Sequence, residues 1–156
     1  MCEHCGCKGV PAIGELMQEH AVLLDEAERV RAALAAGDRG SALDRLTVMV
    51  DHLARHVRRE ENGIFAALRK DGEYADEVFE LESEHTALDT AIVGLDASAP
   101  DLEDQVNRLL EALAEHIERE DLGIFPVSAV TLGRDGWAIV DRAHEDEPTF
   151  LRDGGP

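Results

Sequence analysis

One thirteen-residue stretch occurs twice in this chain and limits what it can fold into. Leu53-Ala-Arg-His56-Val-Arg-Arg-Glu60-Glu-Asn-Gly-Ile-Phe65 returns sixty residues later as Leu113-Ala-Glu-His116-Ile-Glu-Arg-Glu120-Asp-Leu-Gly-Ile-Phe125, with eight of the thirteen positions identical. Each copy sets a histidine and a glutamate four residues apart inside an apolar pattern of helical period. Residues so spaced lie about 40° apart around a helix and about 6 Å apart along it, so both can reach one centre beside it. An apolar interior penalises an unpartnered polar side chain by roughly 1–3 kcal/mol, and an unpaired carboxylate by far more. Whatever buries this stretch twice must also supply what it binds.

The rest of the chain reads as helix. Pro11 suits the first turn of a helix that carries Ile13, Leu16, Leu24, Ala27, Val30 and Leu34 on its inner stripe, with His20 among them. Gly37-Asp38-Arg39-Gly40 ends it. A second helix begins near Ser41 and turns Leu46, Met49, Leu53, His56, Glu60 and Ile64 inward. After Lys70-Asp71-Gly72 a third carries Val78, Leu81, His85, Leu88, Ile92 and Leu95. Asp101 is positioned to cap a fourth, with Leu102, Val106, Leu109, Leu113, His116 and Glu120 inward and Pro126 at its end. A last short helix is expected around Trp137, Ile139 and Val140. Strand-like alternation is absent. Helices of about 20–30 residues joined by short loops predict an all-α, antiparallel up-down-up-down four-helix bundle with a short C-terminal helix.

The first and third helices match each other as the second and fourth do. Glu19-His20-Ala-Val-Leu23 has its counterpart in Glu84-His85-Thr-Ala-Leu88, so the duplicated unit is a pair of helices. Four histidines and two glutamates then converge, and a metal answers the cost of burying them. Imidazole nitrogen with carboxylate oxygen and no inward thiolate favours iron or manganese over a structural zinc. Six ligands from four helices exceed one tetrahedral ion and suit two metals sharing bridging carboxylates. His52 precedes His56 by one turn, but the second copy has Ala112 there, which sets it apart from the six. His144 and His4 are expected in solvent.

This ordered set, His20, His56-x-x-x-Glu60, His85 and His116-x-x-x-Glu120, resembles the hemerythrin-like family over roughly residues 11–145. The resemblance implies a non-haem di-iron centre inside a bundle, with His20 and His56 on one iron and His85 and His116 on the other. It further implies that Glu60 and Glu120 bridge them, leaving an open position for dioxygen or another small ligand. Two positions depart from the oxygen carriers. Asp89 stands where those have a second histidine on the third helix, and Asp121 satisfies their His-x-x-x-x-Asp spacing beside Glu120. Because the repeat pairs Glu120 with Glu60, Glu120 is taken as the ligand. Asp121 and its counterpart Glu61 are kept as alternative ligands or as partners behind the ligands.

Two classes of function are open to such a centre. One is a di-iron protein that binds dioxygen, nitric oxide or peroxide as sensor, scavenger or store; the other is a di-iron enzyme with catalase- or peroxidase-like activity, with iron storage a plainer third. No inward Ser, Lys or Cys suggests a hydrolytic nucleophile. The 34 acidic and 15 basic residues give a formal net charge of −19, which opposes nucleic acid and anionic membranes as partners. No apolar run reaches the roughly 18 residues of a membrane span, and the N-terminus lacks a secretory pattern, so a cytoplasmic protein is expected. Cys2, Cys5 and Cys7 crowd a tail over residues 1–10 that could offer soft metal ligands, but its plain reading is a flexible terminus. The bundle is expected over 11–145 and a C-terminal tail over 146–156.

Overall fold

The computed structural model describes residues 10–153, and all of its regular structure is helical. The cysteine tail, His4 and the last three residues lie outside the described residues. Seven α-helices succeed one another: α1 (Pro11–Ala35), α2 (Arg39–Asn62), α3 (Ile64–Asp71), α4 (Ala75–Val93), α5 (Leu102–Arg119), α6 (Phe125–Thr131) and α7 (Arg134–Asp146). A π-helical turn, Glu120–Ile124, joins α5 to α6, and a 3-10 turn, Phe150–Arg152, comes after α7.

The turn between α1 and α2 shows how tightly local sequence sets the hairpin. Gly37 takes φ 75°, a left-handed conformation that costs glycine nothing. Its N–H donates to the Leu34 carbonyl while that of Asp38 donates to Ala33, which closes α1 in a Schellman motif. Asp38 then starts α2, its carboxylate accepting from the Ser41 N–H at 3.0 Å. Asp101 holds the equivalent position before α5, but its side chain accepts instead from the Gln105 amide at 2.8 Å.

The two expected long helices that carry the repeat are both interrupted within it. At Gly63 the backbone turns to φ −103°, ψ −101° and α2 gives way to α3. A Cβ on Gly63 would stand only 2.6 Å from the Arg59 carbonyl in the last turn of α2, with Ala143 Cβ on α7 packed at 3.4 Å. At the counterpart Gly123 the chain makes its π turn, with nothing within 4 Å of such a Cβ. Pro126 does not end the fourth helix, as expected, but opens α6. A proline ring would press on the carbonyl four residues back in a regular α-helix, and the wider π turn before it relieves that clash.

Two apolar layers form the core. One joins Leu23, Val30, Met49, Leu53, Leu88, Leu110, Leu113 and Phe150; the other joins Ile13, Leu16, Ile64, Phe65, Leu81, Ile124, Phe125 and Val140. On α1 it is Leu23 that is buried, whereas Leu24, placed on the inner stripe from sequence, is 36% exposed. α4 ends at Val93, so Leu95 packs from the loop beyond the helix. The segment after α7 is anchored, because Phe150 is buried against the first layer. Among the described residues no helix is long and apolar enough to cross a membrane.

The contrast between the two glycines gives a test of this packing. Gly63→Ala should destabilise the protein by about 1–3 kcal/mol, the range for overpacking a filled site. Gly123→Ala should stay within about 0.5 kcal/mol of wild type. Urea denaturation of the two variants measures both, and equal effects would contradict the crowding at Gly63.

Candidate metal centre

Between the two apolar layers lies one buried polar layer. His20 sits on α1 between Leu16 and Leu23, and His85 sits on α4 between Leu81 and Leu88. His56 and Glu60 come from the end of α2, His116 from the end of α5, and Glu120 from the start of the π turn. The structure brings together all six residues singled out from the sequence. They form two four-residue groups, His20, His56, Glu60, Glu120 and Glu60, His85, His116, Glu120, in each of which one ligand atom per residue lies within 4.8 Å of every other. Glu60 and Glu120 belong to both groups.

The atoms that face one another are the Nε2 nitrogens and the carboxylate oxygens. His56 Nε2 is 2.8 Å from both His20 Nε2 and Glu60 Oε1, and His20 Nε2 is 3.0 Å from Glu120 Oε2. In the other half His85 Nε2 lies 3.3 Å from Glu60 Oε2 and 3.4 Å from Glu120 Oε1, and His116 Nε2 contacts the same Glu120 oxygen.

Each imidazole is held from behind. The Nδ1–H groups donate to carboxylates: His20 to Asp121 at 2.7 Å, His56 to Glu19 at 2.6 Å, His85 to Glu61 at 3.0 Å and His116 to Glu84 at 2.6 Å. A carboxylate accepts only, so the proton sits on Nδ1 and Nε2 turns its lone pair inward. Asp121 and Glu61 therefore stand behind the cluster. Glu19 and Glu84 were missed as functional residues, although the matched pairs Glu19-His20 and Glu84-His85 were the signal for them. The final phenylalanine of each repeat also contributes, Phe125 stacking on His20 at 5.4 Å and Phe65 on His85 at 5.7 Å between ring centroids. Each copy of the repeat thus grips the α1 or α4 histidine of the other half.

This donor set fits a metal. Four inward lone pairs and two carboxylates are all acceptors, and both oxygens of Glu60 and Glu120, with Nε2 of His85 and His116, have no hydrogen-bond partner. Such a cluster requires positive charge at its centre. With protons alone it shows the same demand: burial disfavours charge on His20 and His85, yet the surrounding carboxylates outweigh it. They hold His20 well above the ordinary value and push His85 up to about 12. Burial likewise opposes ionisation of Glu60, but His56, His20 and His85 keep its pKa well below the usual range.

Residues 12–128 match the family described as Hemerythrin HHE cation binding domain. The chain belongs to the hemerythrin family. No curated protein and no solved structure matches it. Within this hemerythrin domain the buried histidine and glutamate cluster has the composition and spacing to hold a metal.

Other sequence candidates fall outside the cluster. His52 donates to Glu26 at 2.6 Å and stacks on Phe150 at 4.3 Å, so it packs beside the core. Asp89 is exposed. His144, expected in solvent, is largely covered, with Arg59 Nη2 donating to its Nδ1 at 3.3 Å. The same Arg59 lies with its Nε 3.0 Å from Glu19 Oε1, which also accepts from Thr149 Oγ1 at 2.5 Å.

Burial and the Arg59 guanidinium pull the His144 pKa down to about 4. An unfolded histidine titrates near about 6.5, so between these values the unfolded chain binds more protons and stability falls as the pH drops. Replacing His144 by Asn should flatten that loss. Denaturation midpoints at pH 7 and pH 5 measure it, and an equal acid sensitivity in the variant would contradict the assignment.

Proposed function

We propose that this hemerythrin-family protein holds two non-haem iron ions and uses them to bind a small molecule such as dioxygen, nitric oxide or hydrogen peroxide. The single observation that supports this most is the set of four imidazoles, each turned inward by a carboxylate, around two glutamates shared between two donor groups. In this reading His20 and His56 hold one ion, His85 and His116 the other, and Glu60 and Glu120 both. The reading takes α1, α2, α4 and α5 as an up-down-up-down bundle, supported by the tight hairpin turn between α1 and α2.

Iron, when bound, supplies open coordination and one-electron steps. Nitrogen and oxygen donors without thiolate favour iron or manganese over a structural zinc. The chain supplies the rest. Glu19, Glu61, Glu84 and Asp121 fix each ring in one tautomer and raise its basicity toward a metal. Leu16, Leu23, Leu81 and Leu88, one turn either side of His20 and His85, keep bulk water away from those rings. With Asp89 outside the cluster, the second half gains no third histidine.

Metal analysis of the iron-loaded protein should find about two ions per chain, since ligand binding and folding are coupled in such sites. His56→Ala or His116→Ala should lower that number and the melting temperature, and iron in hundredfold excess over its Kd contributes about 2.7 kcal/mol that the variants forfeit. A wild-type protein that takes up no iron would overturn the proposal. Spectra with dioxygen, nitric oxide or peroxide then separate the roles: a stable adduct supports ligand binding, and steady peroxide loss supports a catalytic role.

A further inference from the structure

The duplication supplies an internal comparison, because each position on α1 and α2 around one half of the cluster has a counterpart on α4 and α5 around the other. In the half built from α1 and α2, Glu19 behind His56 is fully buried and Arg59 is 1% exposed. That arginine donates to the Glu147 carbonyl at 2.7 Å and pairs with Glu15, while Thr149 covers the second Glu19 oxygen. Between the same helices His52, bonded to Glu26, is roofed by Phe150. The segment after α7 therefore closes this half.

The half built from α4 and α5 has the corresponding groups without the cover. Glu84 behind His116 is 24% exposed, and Arg119, the counterpart of Arg59, is 59% exposed while lying 2.6 Å from it. Where the first half has Val22, Glu26 and His52, this half has Ala87, Ala91 and Ala112. The result is a groove of about 430 Å³ between α4 and α5 that runs over these three alanines to His116 and Glu84. A second groove of about 280 Å³, between α2 and α4, passes Asp89 to reach His85 and Glu61.

We propose that the two metal positions are unequal: the one at His85 and His116 exchanges with solvent through the α4–α5 groove, and the one at His20 and His56 is closed. This rests on the two-iron reading above. Ala112 is the residue that keeps the groove open, as His52 keeps its counterpart shut. Ala112 is exposed, so changing it tests access with little demand on the core.

The test uses the full chain loaded with ferrous iron under anaerobic conditions and challenged with 2,2′-bipyridine, a neutral aromatic chelator that the net charge of −19 does not repel. Iron loss should be biphasic, one ion leaving ahead of the other. Ala112→Trp, which places an aromatic plug in the groove, should slow the faster phase by roughly tenfold, the factor that an added local opening of about 1.4 kcal/mol imposes. His52→Ala should instead speed the slower phase. Loss of both ions in one phase overturns the inequality, and a faster phase indifferent to Ala112→Trp overturns the α4–α5 groove as its route in favour of the groove past Asp89; either result leaves the two-iron reading intact. Fewer than two ions per chain before chelator is added overturns both.

Discussion

The hydrogen bond from each buried imidazole Nδ1 to a carboxylate is the interaction on which the centre of this protein depends. It decides where the proton sits, and so decides that four nitrogen lone pairs meet two glutamates in a layer between two apolar cores. Without those bonds the rings could turn or pair with one another. With them, the interior is a set of acceptors that only cations can hold together, and burial makes the demand stronger because the low-dielectric surroundings magnify each unmet charge. The apolar layers and the polar layer are therefore one design: the leucines fix the helices at the height where the rings converge.

The repeat explains how such a layer is assembled economically in sequence. Glu61 and Phe65 from the first copy hold His85, and Asp121 and Phe125 from the second hold His20. Each half completes the other. The C-terminal segment from α7 onward breaks the equivalence. α7 presses on Gly63, Phe150 covers His52, and Arg59 is sealed with Glu15 and Glu19, whereas Gly123, Ala112 and Arg119 keep open surroundings. A symmetric set of donors sits in an asymmetric shell.

Much of this is legible in the sequence alone. Spacing of three and four residues marked the helices, and the His-x-x-x-Glu pairs with His20 and His85 marked the residues that the structure brings together. Backbone events were harder to read, because a helical period survives them: the glycine breaks and the π turn shift direction without erasing the apolar stripe, and Pro126 looked like an end where it is a beginning. Leu23 and Leu24 are both apolar, and only packing against neighbouring helices chooses between them. Glu19 and Glu84 escaped notice for a similar reason. A glutamate beside an inward histidine reads as solvated, and its partner lies on a different helix, 37 residues away for Glu19 and 32 for Glu84. His144 reads as solvated from sequence because Arg59, which covers it, is distant in the chain.

The central proposal is that inward Nε2 nitrogens and shared glutamates gather two irons into one centre. Iron-edge X-ray absorption of the loaded protein tests it most directly. The account predicts imidazole scattering together with a resolved iron–iron contribution, the latter lost when Glu60 and Glu120 are both changed to Gln. Iron that shows no neighbouring iron, or a first shell without imidazole, would contradict it.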